Sequence, residues 1–207
     1  MAIKKFFRTM LAAALLCVLP SITFANPRVV FIGDSITYLW NSNIPTFFQT
    51  NNFLCKGVGG NTTGDMLKRF TKDVINNHPQ VVVILAGTND VAQADGVFVT
   101  ADQISSNIFH MAKMAQEAGI KVVLCSIFPS SRVSVERTNL IPTVNTIIEE
   151  WAANNNCEYV DYYSLFVQAN GALDPKFSAD DCHLNAAPAG YFIMEQVLMP
   201  VLERMLQ

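Results

Sequence analysis

The stretch RVVFIGDSITYLW, residues Arg28–Trp40, runs apolar through Val29, Val30, Phe31 and Ile32 and then turns abruptly to Gly33, Asp34 and Ser35. A short run of β-branched and aromatic residues closed by a glycine marks an interior strand leaving its sheet. Ser35 then stands at the strand's carboxyl end, the side of an open α/β sheet on which ligands bind.

Four further runs repeat the pattern at 53–58, 81–87 (VVVILAG), 121–127 (KVVLCSI) and 157–162 (CEYVDY), so that with 28–32 five strands are expected. Helical periods separate them. Met66, Phe70 and Val74 are spaced by four, Ile104 and Ile108 are followed by Met111, and Ile141, Val144, Ile148 and Trp151 form a third apolar stripe. A last helix is expected from about Gly190 to Leu206, bent or broken near Pro200. Strands alternating with amphipathic helices give a parallel sheet covered on both faces. The longest loops fall near 88–100, 129–139 and 164–189, and function tends to sit on such loops.

The chain of 207 residues, 51% hydrophobic, is ample for one core, and residues 26–207 read as a single domain. Residues 1–25 read as a signal peptide: Lys4, Lys5 and Arg8 precede the apolar MLAAALLCVLP, and Thr23-Phe24-Ala25 offers small residues at a cleavage site. The apolar run is shorter than the ~20 residues a membrane span needs. Export to the periplasm or the extracellular space follows as the expectation, with no stable membrane insertion after cleavage. Without the leader, eleven basic side chains face seventeen acidic ones, a charge of −6, which disfavours nucleic acid as a partner. Cys55, Cys125, Cys157 and Cys182 then remain, and an exported protein could pair them in any of three ways. Cys125, inside an apolar run, has the setting of a buried free thiol.

Four short motifs follow the sheet in order: GDSI at Gly33–Ile36, GVGGNTT at Gly57–Thr63, GTND at Gly87–Asp90 and DDCH at Asp180–His183. Three lie just beyond a strand and should converge on one edge of the sheet. Their residue types answer one chemical need. A serine hydroxyl requires an adjacent base to act as a nucleophile, which His183 can supply to Ser35. Asp180, three residues earlier, can reach the far imidazole nitrogen and stabilise the imidazolium that forms. The backbone N–H groups of Ser35 and Gly60 and the side-chain amide of Asn89 are available to a developing oxyanion. A side chain at Gly60 is expected to obstruct the approach of that N–H to a substrate.

With these motifs in this order, the chain resembles the SGNH hydrolases, also called GDSL lipases and esterases, over essentially all of residues 26–207. The resemblance implies a flavodoxin-like three-layer α/β/α sandwich on a five-stranded parallel sheet. It also implies a catalytic set of Ser35, Asp180 and His183, an oxyanion hole of Ser35, Gly60 and Asn89, and no metal or organic cofactor. Similar members include secreted bacterial carbohydrate O-acetylesterases and platelet-activating-factor acetylhydrolase-like enzymes. The implied activity is hydrolysis of short-chain acyl esters, with O-acetyl groups on a glycan or small molecule as substrate. Two positions depart from the pattern: Cys55 stands where relatives often carry Asn, and Asp181 with Cys182 where they often read DGxH. The first leaves open how the Gly60 loop is braced, and the second whether Asp181 orients His183 or faces water.

Other readings fit less well. Each motif alone is weak: GDS can be a helix cap and GTND a turn in which Asp90 caps the next segment. An α/β-hydrolase elbow needs GxSxG, and Thr37 stands at its last position. GVGGNTT lacks the Lys-Ser/Thr ending of a phosphate-binding loop. His110 reads as a helix flank, His78 as a helix end before Pro79, and Asp34 as a cap of the serine turn. Cys182 as nucleophile would tend to point away from the neighbouring His183. Tyr38, Leu39 and Trp40 either line a substrate pocket or pack beneath the first helix. The alternative functions are a lysophospholipase or thioesterase, and a catalytically silent glycan-binding module.

Overall fold

The computed structural model describes residues 26–207 except 94, 95, 131–133, 135, 136, 138, 179 and 186–188. The expected signal peptide at 1–25 lies outside the described residues. Five strands, β1 (Val29–Gly33), β2 (Phe53–Gly57), β3 (Val81–Leu85), β4 (Lys121–Cys125) and β5 (Glu158–Val160), form one sheet in the order β2-β1-β3-β4-β5. All neighbours pair in parallel. This is the five-stranded flavodoxin-like sheet that the sequence led one to expect. Its strands are shorter than the apolar runs: Ala86 and Gly87, and Ser126 and Ile127, leave the ladder although their neighbourhoods stay apolar.

Strand residues alternate between two cores. Val29, Phe31, Val81, Val83, Leu85, Val123, Cys125 and Val160 face one layer, built with α1 (Ser35–Asn43), α2 (Pro45–Thr50) and the last helix, α8 (Ala189–Met205). Val30, Ile32, Val82, Ile84, Val122 and Leu124 face the other, built with α3 (Thr63–Asp73), α5 (Ala101–Glu117) and α6 (Leu140–Asn154). Two short helices, α4 (Thr88–Ala92) and α7 (Tyr163–Phe166), complete the described set. Burial on both faces explains why the strands read as continuous apolar runs rather than alternating ones.

The first layer is aromatic. Trp40, 1% exposed, stacks on Phe47 at 4.8 Å, and Phe31 meets Trp40, Phe47 and Phe48 edge-on. Trp40 is therefore core, while Tyr38 on the same helix is half exposed. In the second layer Ile141, Val144 and Ile148 are fully buried, but Trp151 is only partly so and stacks on Phe109 at 4.4 Å, joining α6 to α5. The last helix is not broken at Pro200. It runs through to Met205 because Tyr191, Met194, Leu198 and Leu202, on both sides of the proline, are fully buried. Among the described residues Cys55, Cys125, Cys157 and Cys182 form no disulfide with one another. His110 and His78 are both exposed, His78 closing a short 3-10 turn in a left-handed conformation.

The abrupt end of the first strand has a steric cause. Gly33 pairs with Gly57 across β1 and β2, and α1 begins only two residues after Gly33. A methyl group on Gly33 would lie 2.1 Å from Thr37 Oγ1 and 2.9 Å from the Leu85 carbonyl; one on Gly57 would lie 2.3 Å from the Tyr38 nitrogen. Two glycines thus let the first turn of α1 settle directly on the sheet edge. Asp34 caps that turn, its Oδ1 accepting the Ile36 N–H at 2.9 Å. Its other oxygen is buried without a hydrogen-bond partner; the Thr88 hydroxyl favours the charged form but makes no full bond to it. Burial raises the Asp34 carboxyl to about 6, against the Ile36 hydrogen bond, which lowers it.

Two outcomes follow for stability. Gly33→Ala is expected to cost about 3 kcal/mol by overpacking, whereas Gly64→Ala, where the nearest atom is 3.7 Å away inside α3, should be neutral or stabilising; urea unfolding separates them. Because the folded protein holds a proton on Asp34 where the unfolded chain has released it, stability is lost as pH rises from about 4 to about 6. Asp34→Asn keeps the cap oxygen and removes that dependence, so wild type should lose about 2–3 kcal/mol relative to the variant across this window. Parallel pH profiles for the two proteins would contradict the assignment.

Candidate functional site

The sheet order reverses at β1, whose two neighbours β2 and β3 continue in opposite directions, and the crevice beyond their carboxyl ends is where such sheets bind ligands. Ser35 opens α1 there. The GVGGNTT loop leaves β2, the GTND segment leaves β3 as α4, and Asp180 to His183 arrive from the loop before α8. The last loop is anchored by Phe177, edge-on to Phe166 at 5.0 Å, by the buried Leu184, and by the Asn185 N–H on the Phe177 carbonyl at 2.7 Å.

These anchors bring together residues 148 positions apart. Ser35 Oγ lies 2.8 Å from His183 Nε2, and His183 Nδ1 lies 2.7 Å from Asp180 Oδ2. The carboxylate fixes the proton on Nδ1, which leaves Nε2 as the acceptor for the serine hydroxyl. Asp180 Oδ1 also accepts the His183 N–H at 2.7 Å and the Cys182 N–H at 3.1 Å. Partial burial would raise the Asp180 carboxyl, but hydrogen bonds from the His183 ring and from the His183 and Cys182 backbones outweigh it and hold the group down to about 2. Asp180 is thus an anion wherever His183 could need one. Asp181 is exposed in a left-handed conformation at φ 62°, and its carbonyl takes the Ser130 hydroxyl at 3.4 Å.

The remaining predicted residues line the same edge. The turn from Val58 to Asn61 is closed by the Asn61 N–H on the Val58 carbonyl, with Gly60 at φ +78°. A methyl group on Gly60 would meet nothing within 4 Å. The left-handed backbone of the turn is by itself a reason for glycine there. Gly59 is the residue that packs on the serine: a methyl on it would sit 4.0 Å from Ser35 Cβ. The N–H groups of Ser35 and Gly60 make no hydrogen bond to the described residues. Asn89 Nδ2 donates to the Asn61 carbonyl at 3.0 Å, which fixes the amide and leaves its second hydrogen for a ligand.

Asp90 links two of the motifs. Its carboxylate reaches back to the start of α3, taking the Thr63 N–H at 2.8 Å and the Thr63 hydroxyl at 2.6 Å, and so ties the third motif to the second. Arg137, 7% exposed, donates to the carbonyls of Asp90, Val91 and Val99 and stacks under Phe98 at 4.6 Å. Cys55, where an Asn was expected, makes only long sulfur contacts of 3.5 Å to the Thr37 carbonyl and the Gly57 N–H. The Gly60 loop is braced instead by Arg69, whose Nε donates to Asn61 Oδ1 at 2.7 Å. Neither Arg69 nor Thr63 was singled out from sequence. The available signal was a lone arginine one position from the buried Phe70, with Asp73 a helical turn further on. A cleft of about 820 Å³ opens at the opposite edge of the sheet, by Gln116, Lys121, Glu158 and Arg204, far from this constellation.

The GDSL-like lipase/acylhydrolase family model matches residues 31–190. The crystal structure of a GDSL-like lipase from Bacteroides thetaiotaomicron superposes with a TM-score of 0.80 at 38% identity, covering 86% of this chain and 89% of that one. An acetyl xylan esterase structure superposes with a TM-score of 0.66 at 26% identity, covering 84% of this chain and 98% of the other. An uncharacterized lipoprotein of Bacillus subtilis, YqeF, is 29% identical over 147 residues, 70% of this chain and 51% of the relative. The chain thus spans about half the length of that curated relative. From the sheet, the order of the four motifs and this match together, the chain belongs to the GDSL-like lipase/acylhydrolase family.

Proposed function

We propose that the protein is an exported serine esterase that cleaves short-chain acyl esters, O-acetyl groups on carbohydrate first among them, through an acyl-Ser35 intermediate. One observation carries this reading: the unbroken chain from Ser35 Oγ through His183 to Asp180, with contacts of 2.8 and 2.7 Å. The carbohydrate preference draws support from the acetyl xylan esterase among the similar structures. Export draws support from the leader pattern and from the lipoprotein relative. No helix of the described residues is long and apolar enough to cross a membrane.

The chemistry follows from the atoms. His183 Nε2 takes the Ser35 proton as Oγ attacks the ester carbonyl, and the negative charge moves onto the carbonyl oxygen. The N–H groups of Ser35 and Gly60 and the free hydrogen of the Asn89 amide receive that charge, each such donor contributing ~3–4 kcal/mol at the transition state. Collapse of the tetrahedral species breaks the ester C–O bond, and the His183 imidazolium protonates the departing alcohol. Water, deprotonated by the same nitrogen, then releases the acid and restores the serine. Asp180 stays ionised throughout and offsets the imidazolium charge.

Ser35→Ala is expected to abolish turnover of p-nitrophenyl acetate, and retained turnover would overturn the mechanism. Asp180→Asn should lower kcat by ~10²–10⁴ through loss of the correct tautomer. Activity should fall on acidification, because an imidazolium cannot accept the serine proton. Asp180, held down to about 2, stays ionised through such an assay. Asp34, raised to about 6, takes up a proton as well, so the fall must persist in Asp34→Asn to belong to the catalytic base. A panel of acetylated sugars, longer p-nitrophenyl esters and thioesters then reads substrate class: preference for long acyl chains would replace the carbohydrate reading with the lipid one. Sugar binding without product release would indicate the silent module.

A further inference from the structure

We infer that Arg69 is the positioning residue of the oxyanion pocket, the single group that aligns all three of its donors; this rests on the esterase reading above. Its guanidinium makes four hydrogen bonds. Nε donates to Asn61 Oδ1 at 2.7 Å, Nη1 to the Lys56 carbonyl at 2.9 Å and to Asp73 Oδ2 at 2.8 Å, and Nη2 to the Gly33 carbonyl at 3.0 Å.

Each acceptor leads to a different donor of the pocket. Gly33 is the last residue of β1, two before Ser35, so its carbonyl fixes the segment that delivers the Ser35 N–H. The same carbonyl accepts the Val58 N–H at 3.0 Å, at the start of the Gly60 turn. Lys56 lies at the end of β2, from which that turn departs. Asn61 directly follows Gly60, and its own carbonyl holds the Asn89 amide at 3.0 Å. One planar cation therefore sets the spacing between the ends of two strands and, through Asn61, the orientation of the third motif.

The loop does not depend on Arg69 to exist. The Val58 bond to Gly33, the Asn61 bond to Val58, and the reciprocal capping of Thr62 and Asp65 at the start of α3 all survive without it. What Arg69 adds is registration of already formed pieces, which is worth most when charge develops on the substrate oxygen. Lysine cannot reproduce this, because a point charge has no planar fork to reach acceptors on three segments at once. Asp73, on the same helix, orients the fork from the far side.

The test uses the full domain with Arg69→Met, Arg69→Lys, Asn61→Ala and, as a surface control, Lys68→Met, whose side chain is 79% exposed. A fluorophosphonate that labels the serine counts competent sites, so kcat is expressed per labelled Ser35. Arg69→Met is expected to lower kcat about 10- to 100-fold with KM within about twofold, and to slow phosphonylation by a similar factor, since that reaction develops charge on the same donors. Arg69→Lys should recover little of the loss, and the acid limb of the pH profile should stay where it is in wild type. Asn61→Ala should slow both reactions too, and adding Arg69→Met to it should cost less than the product of the two single losses. Wild-type turnover per labelled site in Arg69→Met, or a change confined to KM, would overturn the inference; if that variant fails to fold, Asn61→Ala decides by the same readouts. Failure of wild type to label at Ser35 would instead overturn the esterase reading, and this inference with it.

Discussion

Everything at the carboxyl edge of the sheet depends on how closely α1 can approach the ends of β1 and β2. Gly33 and Gly57 face each other in register, and any side chain on either would strike the first turn of the helix or the neighbouring strand. Close approach puts Ser35 at a helix start and at a strand end together. Its hydroxyl therefore projects from a rigid corner rather than a loop, and its N–H, at the helix terminus, makes no hydrogen bond to the described residues. The opposing histidine comes from a loop, but one pinned by Phe177, Leu184 and the Asn185 backbone bond. Rigid corner and pinned loop together hold a 2.8 Å contact.

Three aspartates around this corner show how environment divides one residue type among different tasks. Asp180 is partly exposed and surrounded by donors, so it stays charged. Asp90 is buried, with both oxygens bonded to Thr63, and acts as a tie between two motifs. Asp34 is buried with one oxygen unpartnered, so it keeps its proton up to about pH 6. The cost of burying that carboxyl is offset by the cap it provides to α1 and by the field it presents to His183.

Much of this was legible in the residues themselves. The five strands were visible because burial on both faces makes each an uninterrupted apolar run, and the helices because their stripes repeat every three to four residues. Strand ends were overestimated at Ala86-Gly87 and Ser126-Ile127, since apolar residues continue past the ladder into packed loops. Pro200 does not end its helix, because tertiary packing on either side of it overrides propensity. Ser35, Gly60, Asn89, Asp180 and His183 could be picked out from motif order, yet the bracing residues could not. Arg69 and Thr63 act through acceptors 8 to 36 positions away, at Asn61, Lys56, Gly33 and Asp90, and no local pattern encodes such partners. A second reason for glycine at Gly60, the positive φ of its turn, was not legible, because it is a property of the turn and not of any neighbouring residue.

Three of the described cysteines have a consequence for handling. Cys125 is sealed in the core, and burial pushes Cys157 up to about 11 and Cys55 above its ordinary value, so at neutral pH these three sulfurs hold their protons and attack disulfides slowly. The described fold is thus held by packing and hydrogen bonding, and Cys55, Cys125 and Cys157 keep their sulfurs protonated beside the two apolar layers they help to fill.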